Sequence, residues 1–294
     1  MKLEYIVKKE DENIKQILKN KFNMSDRFIV KLKHNNCLSV NDEVARIWTN
    51  IKEGDKLVIE ENFSEETPNI ASNQKIELDI VFEDDYILVI NKQAGIPVHP
   101  SASHYNDSLS NGVKAYFEKI GLKKLIRPVN RLDKNTSGLV IFAKNEYVQD
   151  CLIKQMEKDT FKKYYLAVLE GIVKNDTGTI QTGISRKEGS VIERKVDSEG
   201  KEAISHYKVL ERLNDKNMSV VEYTLETGKT HQLRLHSRYI GHPIVGDTLY
   251  HKESDKINRQ ALHAKRIEFI HPISREKMSL ETSIPNDIKE LITK

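Results

Sequence analysis

Apolar positions along this chain fall into blocks, and their spacing changes twice. In the first block Ile14, Ile17 and Leu18 recur at helical spacing within 13–20. Ser25 heads a second helical run carrying Phe28, Ile29, Val30 and Leu32, a serine where a helix N-cap belongs. Residues 38–43 then read as a hairpin, and Lys52-Glu53-Gly54-Asp55 turns into a strand at 56–60. Residues 62–75 are polar, contain Pro68 and keep no period, which reads as a linker. From Ile76 onward short apolar runs dominate. Strands are predicted at 76–82, 86–92, 164–169, 206–210, 219–225 and 265–270, with helices at 109–120 and 146–158. Strands outnumber helices and do not alternate with them, so the fold class predicted is α+β with a mainly antiparallel or mixed sheet. The division that follows is a small α/β module over 1–61, a linker over 62–75, and a large domain over 76–294. A chain of about 60 residues is just sufficient for an independent module.

Composition narrows the class without choosing a function. With 38% hydrophobic and 31% charged residues, the chain has material for a sizeable core and a soluble surface. No apolar run approaches the ~20 residues of a membrane span. The N-terminus, Met1-Lys2-Leu3-Glu4-Tyr5, lacks the apolar stretch of a secretory signal. Cys37 and Cys151 stand alone, which predicts neither a disulfide framework nor a zinc site and points to a reducing, cytoplasmic setting. A net charge of +3 does not by itself announce a nucleic-acid partner. Local clusters say more. Lys154, Lys158 and Lys162, followed by Lys163, would share one face of a helix, and Lys123, Lys124, Arg127 and Arg131 form a second basic run. Neither GxGxxG nor GxxxxGK[ST] occurs, so nucleotide-cofactor and P-loop chemistry have no footing.

The strongest candidate chemistry lies in the stretch from Arg131-Leu132-Asp133-Lys134 through Asn135-Thr136-Ser137-Gly138 into the apolar run Leu139-Val140-Ile141-Phe142-Ala143. A carboxylate held at a polar turn ahead of a buried strand is accessible to a ligand, and flanking Arg131 and Lys134 favour its charged form. Such a group can act as nucleophile or general base. Asp, Asn, Ser and Gly are also ordinary turn residues, so the turn alone is an even choice between a solvated aspartate and a reactive one.

Three further segments accompany it: Asn91-Lys92-Gln93-Ala94-Gly95-Ile96-Pro97-Val98-His99-Pro100, Lys163-Tyr164-Tyr165-Leu166-Ala167, and Thr227-Gly228-Lys229-Thr230-His231-Gln232-Leu233-Arg234-Leu235-His236 running on to Gly246-Asp247. Ala261-Leu262-His263-Ala264 and His271-Pro272 follow. In order and content these motifs resemble the RluA-like pseudouridine synthases, which isomerise selected uridines in RNA. The helix–helix–hairpin pattern of the first block, ending in the Lys-Glu-Gly-Asp turn, resembles the small S-four-like RNA-binding domain. Asn35-Asn36 stand where that domain usually has a glycine, and its basic face is thin here: Arg27, Lys31 and Lys33.

The resemblance implies catalytic roles for Asp133, Tyr165 and Arg234. Asp133 would attack the target nucleotide, Tyr165 would stack on the uracil, and Arg234 would pair with Asp133. It implies substrate contacts at Arg131, Leu233, Lys229 and His231. No cofactor and no metal is expected, because the isomerisation oxidises nothing and transfers no group in or out. The expected partner is RNA, ribosomal by family habit, with transfer RNA as the alternative; no membrane association is expected, and a monomer is. Asn130 departs from the family, which usually has histidine there, and the departure bears on how the target backbone is held. His231 and His236 read as hydrogen-bonding core or RNA-facing histidines rather than metal ligands, His99 and His263 as structural, and the polar run at 185–195 as an exposed loop, either an RNA clamp or a disordered surface segment. Two rivals come from other classes. One is a non-catalytic RNA-binding or ribosome-assembly factor on the same fold. The other is a nucleoside glycosidase, which would place paired carboxylates ~5–10 Å apart.

Overall fold

The computed structural model describes every residue except Glu10, Glu12, Pro68 and Lys294. In the N-terminal block β1 (Lys2–Ile6) precedes α1 (Ile14–Asn20) and α2 (Asp26–His34), followed by β2 (Leu38–Val40), β3 (Glu43–Val44) and β4 (Lys56–Glu60). The predicted Ser25 cap forms, accepting from Phe28 N at 3.3 Å, and α1 is capped by Asn13, which accepts from Gln16 N at 3.0 Å. The strands make a sheet in the order β1-β4-β2-β3, and β1, which sequence patterning did not single out, pairs along all of β4.

The large sheet begins with β5 (Ile80–Glu83) and β6 (Ile87–Lys92), then α3 (Leu109–Lys119), β7 (Arg127–Pro128), β8 (Ser137–Ala143) and α4 (Glu146–Glu157). It continues through β9 (Lys162–Glu170), β10 (Thr177–Arg186), β11 (Arg194–Val196), β12 (Lys201–Leu213) and β13 (Met218–Leu225). After α5 (Gln232–Tyr239) come β14 (Leu262–Ile270), β15 (Lys277–Glu281) and α6 (Asn286–Thr293). The strand order is β11-β10-β12-β13-β9-β14-β8-β6-β5, with β15 beside β14 and β7 beside β8. β14 pairs parallel with β8, whereas the neighbouring ladders are antiparallel, so the sheet is mixed and the fold is α+β.

Strand β8 reads as a continuous apolar run because both its faces are covered. Val140 and Phe142, with Leu88 and Ile90 of β6, join the cluster under α3; Leu139, Ile141 and Ala143, with Ile87 and Val89, point the other way. That second face is shared with the N-terminal block. One apolar cluster runs from Ile14, Leu18 and Phe28 to Ile141, Tyr147 and Leu152. Phe28 of α2 stacks on Tyr147 of α4 with ring centroids 6.1 Å apart, Lys31 pairs with Glu146, and Lys154 donates to Asn23 O at 2.6 Å. Residues 62–75 contain no helix or strand among those described, and they are pinned rather than loose. Glu65 pairs with Arg127 at 2.6 Å, and Asn111 donates to Ala71 O at 2.7 Å. Pro68 lies outside the described residues.

Several expectations shift. The strand expected at 76–82 begins only at Ile80, because Ile76 and Leu78 turn to pack on Gly112 of α3. The run at 185–195 is the end of a β10–β11 hairpin, with Ile184 through Arg186 paired to 194–196, its tip and the strand residues Arg186 and Lys195 exposed. Helix α4 stops at Glu157 and Lys162 starts β9, so the lysines at 154, 158 and 162 do not share one helical face. Among the described residues no helix is long and apolar enough to cross a membrane.

Candidate active site

Asp133 sits in the turn between β7 and β8, closed by a Thr136 N–H donated to Asp133 O at 3.1 Å. Its backbone is anchored from below. Buried Lys92 donates to the carbonyls of Gln93 and Ile96 at 2.9 Å and of Lys134 at 3.0 Å. Burial pulls the Lys92 ammonium down to about 7, opposed by the Asp133 charge. Arg259, paired through both arms with Asp287 of α6, donates to Asn135 O at 3.2 Å. Gly138 is the pivot. Its φ is +116°, and a Cβ there would lie 2.2 Å from Ala264 O, because β8 and β14 meet in parallel register at this point.

The sequence places Arg131 and Lys134 beside Asp133; the fold brings Arg234 and His231 to it instead. Arg234 of α5 donates from Nη1 to Asp133 Oδ2 at 3.2 Å, and His231 Nε2 lies 3.8 Å from the same oxygen. Arg131 is exposed and makes no ion pair among the described residues. The reason is geometric: α5 is presented by the return of β13, which runs beside β9 in the middle of the sheet. Arg234 is itself clamped, its Nε and Nη2 donating to Asp247 at 2.8 and 2.6 Å, with the Tyr250 ring 5.0 Å from its guanidinium carbon. Asp247 is 1% exposed and also accepts the backbone N–H groups of Leu249 and Tyr250 at 3.2 Å. The two carboxylates and the tyrosine ring hold the Arg234 cation well charged despite its burial.

Tyr250 ties the cluster to the hairpin. Its hydroxyl accepts from Arg194 N at 2.8 Å and lies 2.7 Å from His231 Nδ1. With the Arg194 bond accepted, the hydroxyl is free to donate to Nδ1, which leaves the ring proton on Nε2, the nitrogen that faces Asp133. Burial pushes the His231 pKa below its ordinary value, with Asp133 working against that shift, so the ring is neutral at pH 7. Gln232 fixes the loop that delivers His231, accepting from Lys229 N and donating to Ile204 O, both at 2.9 Å. Tyr165, on β9 opposite Tyr223 and Ala264, is buried; that burial, and secondarily the Asp133 charge, raise its pKa and keep the phenol protonated.

These side chains converge. Asp133, Tyr165, Arg234, Arg131, Lys229, His231 and Leu233 all line one cavity of about 440 Å³. Its wall also includes Lys163, whose ammonium pKa is lowered by burial, and Asn130. Lys163 belongs to a quoted motif but was not singled out, and Asp247 and Tyr250 act from behind the wall, where spacing along the chain gives no signal. Asn130 turns inward: its amide donates to Leu139 O at 3.0 Å and accepts from Ile141 N at 2.9 Å, stitching the turn to β8. His236 spends both ring nitrogens on Ser205 and Thr182 at 3.0 Å, and His263 bonds Ser137 at 2.9 Å, which makes both structural. No group of three or more His, Cys, Asp or Glu side chains among the described residues is arranged to hold a metal ion. The cavity can thus offer the Asp133 carboxylate to a flat ring resting against Tyr165 and Leu233, beneath a rim of cations.

Comparison with known proteins gives a consistent picture. Residues 86–239 match the family described as RNA pseudouridylate synthase. The chain is 36% identical, over 97% of its length and 93% of the other's, to the RNA pseudouridine synthase YhcT of Bacillus subtilis. It is 39% identical to ribosomal large subunit pseudouridine synthase D of Neisseria meningitidis, covering 86% of this chain and 70% of that one. Among solved structures, human RNA pseudouridylate synthase domain containing 1 superposes with a TM-score of 0.58 at 27% identity, covering 70% of this chain and 83% of its own.

Proposed function

Because the chain belongs to the RluA-like RNA pseudouridine synthases, an isomerase family acting on RNA, we propose that Asp133 is its catalytic carboxylate, working with Tyr165 and Arg234 on uridines of large-subunit ribosomal RNA. The reaction breaks the bond between ribose C1′ and uracil N1 and makes one between C1′ and C5. A proton leaves C5 and one is taken up at N1. The product is an isomer of the substrate with no net oxidation or reduction, so no cofactor enters the balance.

Each residue has a task that its position suits. Asp133 presents an oxygen to the target while Arg234, 3.2 Å away, offsets its charge. Tyr165 and Leu233 sandwich the detached ring while it turns. His231, Lys229 and Arg131 meet the sugar and phosphates at the rim. A uridine reaches this depth only when flipped out of its stack, at a cost of a few kcal/mol that phosphate contacts from the rim offset. The observation that carries this reading is the convergence of these side chains on a single cavity. The ribosomal substrate is supported by the similarity to the large-subunit ribosomal enzyme of Neisseria meningitidis, and it sets the work in the cytoplasm. Residues 1–61 serve as an S-four-like RNA-binding module, joined through 62–75 to a catalytic domain over 76–294, in a chain that acts as a monomer.

The test is a map of pseudouridines across ribosomal and transfer RNA in a deletion strain, complemented with the wild type and with Asp133→Asn. Sites that vanish, and return only with the wild type, identify both enzyme and substrate. Restoration by Asp133→Asn would remove Asp133 from the chemistry and favour the RNA-binding factor; sites confined to transfer RNA would replace the ribosomal substrate.

A further inference from the structure

Trp48 is the single tryptophan of the chain, and it is 57% exposed. It follows the β2–β3 hairpin in a turn closed twice over, Arg46 N to Thr49 Oγ1 and Thr49 N to Arg46 O, both at 2.8 Å. Lys33 Nζ lies 4.9 Å and the Arg46 guanidinium carbon 5.5 Å from its ring centroid. Other cations of the N-terminal block are paired: Lys19 with Asp26, Lys56 with Glu4, Lys31 and Arg27 with Glu146. Lys33 and Arg46 reach no carboxylate among the described residues, and their charged ends rest on the ring.

A broad aromatic face without apolar cover, carrying two uncompensated cations, is poorly suited to a hydrophobic partner, which would have to bury both charges. It suits a nucleotide, which brings a π-face and a phosphate together. We propose that Trp48, Lys33 and Arg46 form a second RNA contact, a stacking platform for one unpaired base whose flanking phosphates take the two cations. An exposed cation–π contact is worth only about two- to five-fold in an equilibrium. Base stacking on an aromatic residue is worth roughly five- to 150-fold. A base therefore displaces a cation from the ring, and the displaced cation gains a phosphate. The inference rests on RNA being the ligand, but on none of the roles given to Asp133, Tyr165 or Arg234.

The platform is remote from the cavity. Lys154 meets Asn23, and Glu146 meets Lys31, so α2 and α4 run antiparallel. Lys33 thus lies toward the start of α4, whereas Met156, in the cavity wall, lies at its end. Helix α4 alone, 12 residues long, separates them by roughly 15 Å.

The lone tryptophan reports on itself. Oligoadenylate RNA is the probe, since it holds no uridine for the cavity to act on. Titrated into the full-length protein, it is expected to quench tryptophan emission in step with the anisotropy of a labelled copy. Trp48→Ala is expected to weaken that complex by roughly 5- to 100-fold; Trp48→Phe, which keeps a stacking face, weakens it less. Asp133→Asn leaves the quenching intact. Emission that stays constant while anisotropy reports a complex would overturn the proposal, as would no complex at all, or Trp48→Ala binding as well as wild type. Should Asp133→Asn still isomerise RNA, the catalytic assignment would fall while the quenching stood, so the two readings fail separately.

Discussion

Removing the Asp247 carboxylate would leave the Arg234 guanidinium buried with Asp133 as its remaining carboxylate partner. Breaking a buried pair in this way costs about 3–5 kcal/mol, so Asp247→Ala should lower the denaturation midpoint and activity together. An unchanged midpoint would show that Arg234 needs no clamp. Tyr250→Phe makes a finer cut. It keeps the ring beside Arg234 and deletes the hydroxyl that joins His231 to Arg194. Here kcat should fall about tenfold, the scale of one lost hydrogen bond to a positioned group, with KM and stability little altered; a rise in KM alone would make Tyr250 a binding residue. At this scale the sequence was half legible. Asp133, Tyr165 and Arg234 stood in recognisable motifs. Which of them pair was legible only through the resemblance, because Arg234 meets Asp133 across 101 positions of chain, and Tyr250, which packs on Arg234, stood in no motif.

Among the elements, β8 and β14 depend most on a single residue. Gly138→Ala would set a Cβ 2.2 Å from the Ala264 carbonyl, at a φ that side chains rarely adopt. The strands must part or the Asp133 turn must move. A loss above about 3 kcal/mol is expected, read as a fall in melting temperature with activity lost even in the folded fraction; a variant of normal stability and activity would mean the junction is pliable. Elements bounded by strong local signals were legible: α2 by its cap, α1, α3 and α4 by period, β8 by its apolar run. The strands β10, β11 and β15 were not singled out, since their polar, half-exposed alternation resembles loop. Helix α5 hid behind a histidine in left-handed conformation at its N-cap and basic side chains interleaved with its leucines.

The whole molecule is held together by the apolar face common to α2, α4 and the back of β6 and β8. Expressed alone, residues 76–294 would expose Tyr147, Ile87 and Val89, so the truncated chain should aggregate or melt well below the intact protein; equal stability would mean the docking is dispensable. Acid should unfold the protein early. Burial lowers the pKa of both His236 and His263 to about 4. Between that value and the ordinary 6.5, the unfolded chain binds more protons than the folded one, so stability falls as pH drops through this window. The contribution is on the order of 3 kcal/mol per histidine at most, and His236→Gln should flatten the slope of a denaturation series over pH 4 to 6.5. The docking of α2 on α4 also fixes a length. With Phe28 stacked on Tyr147 and Lys31 locked to Glu146, the N-terminal module cannot swing, and the span between its surface and the cavity is constant. Were one RNA to engage both Trp48 and the cavity, it would be gauged as by callipers: only a fold that sets its uridine at the matching distance would fill both jaws, and target choice would become a matter of measurement as well as of sequence.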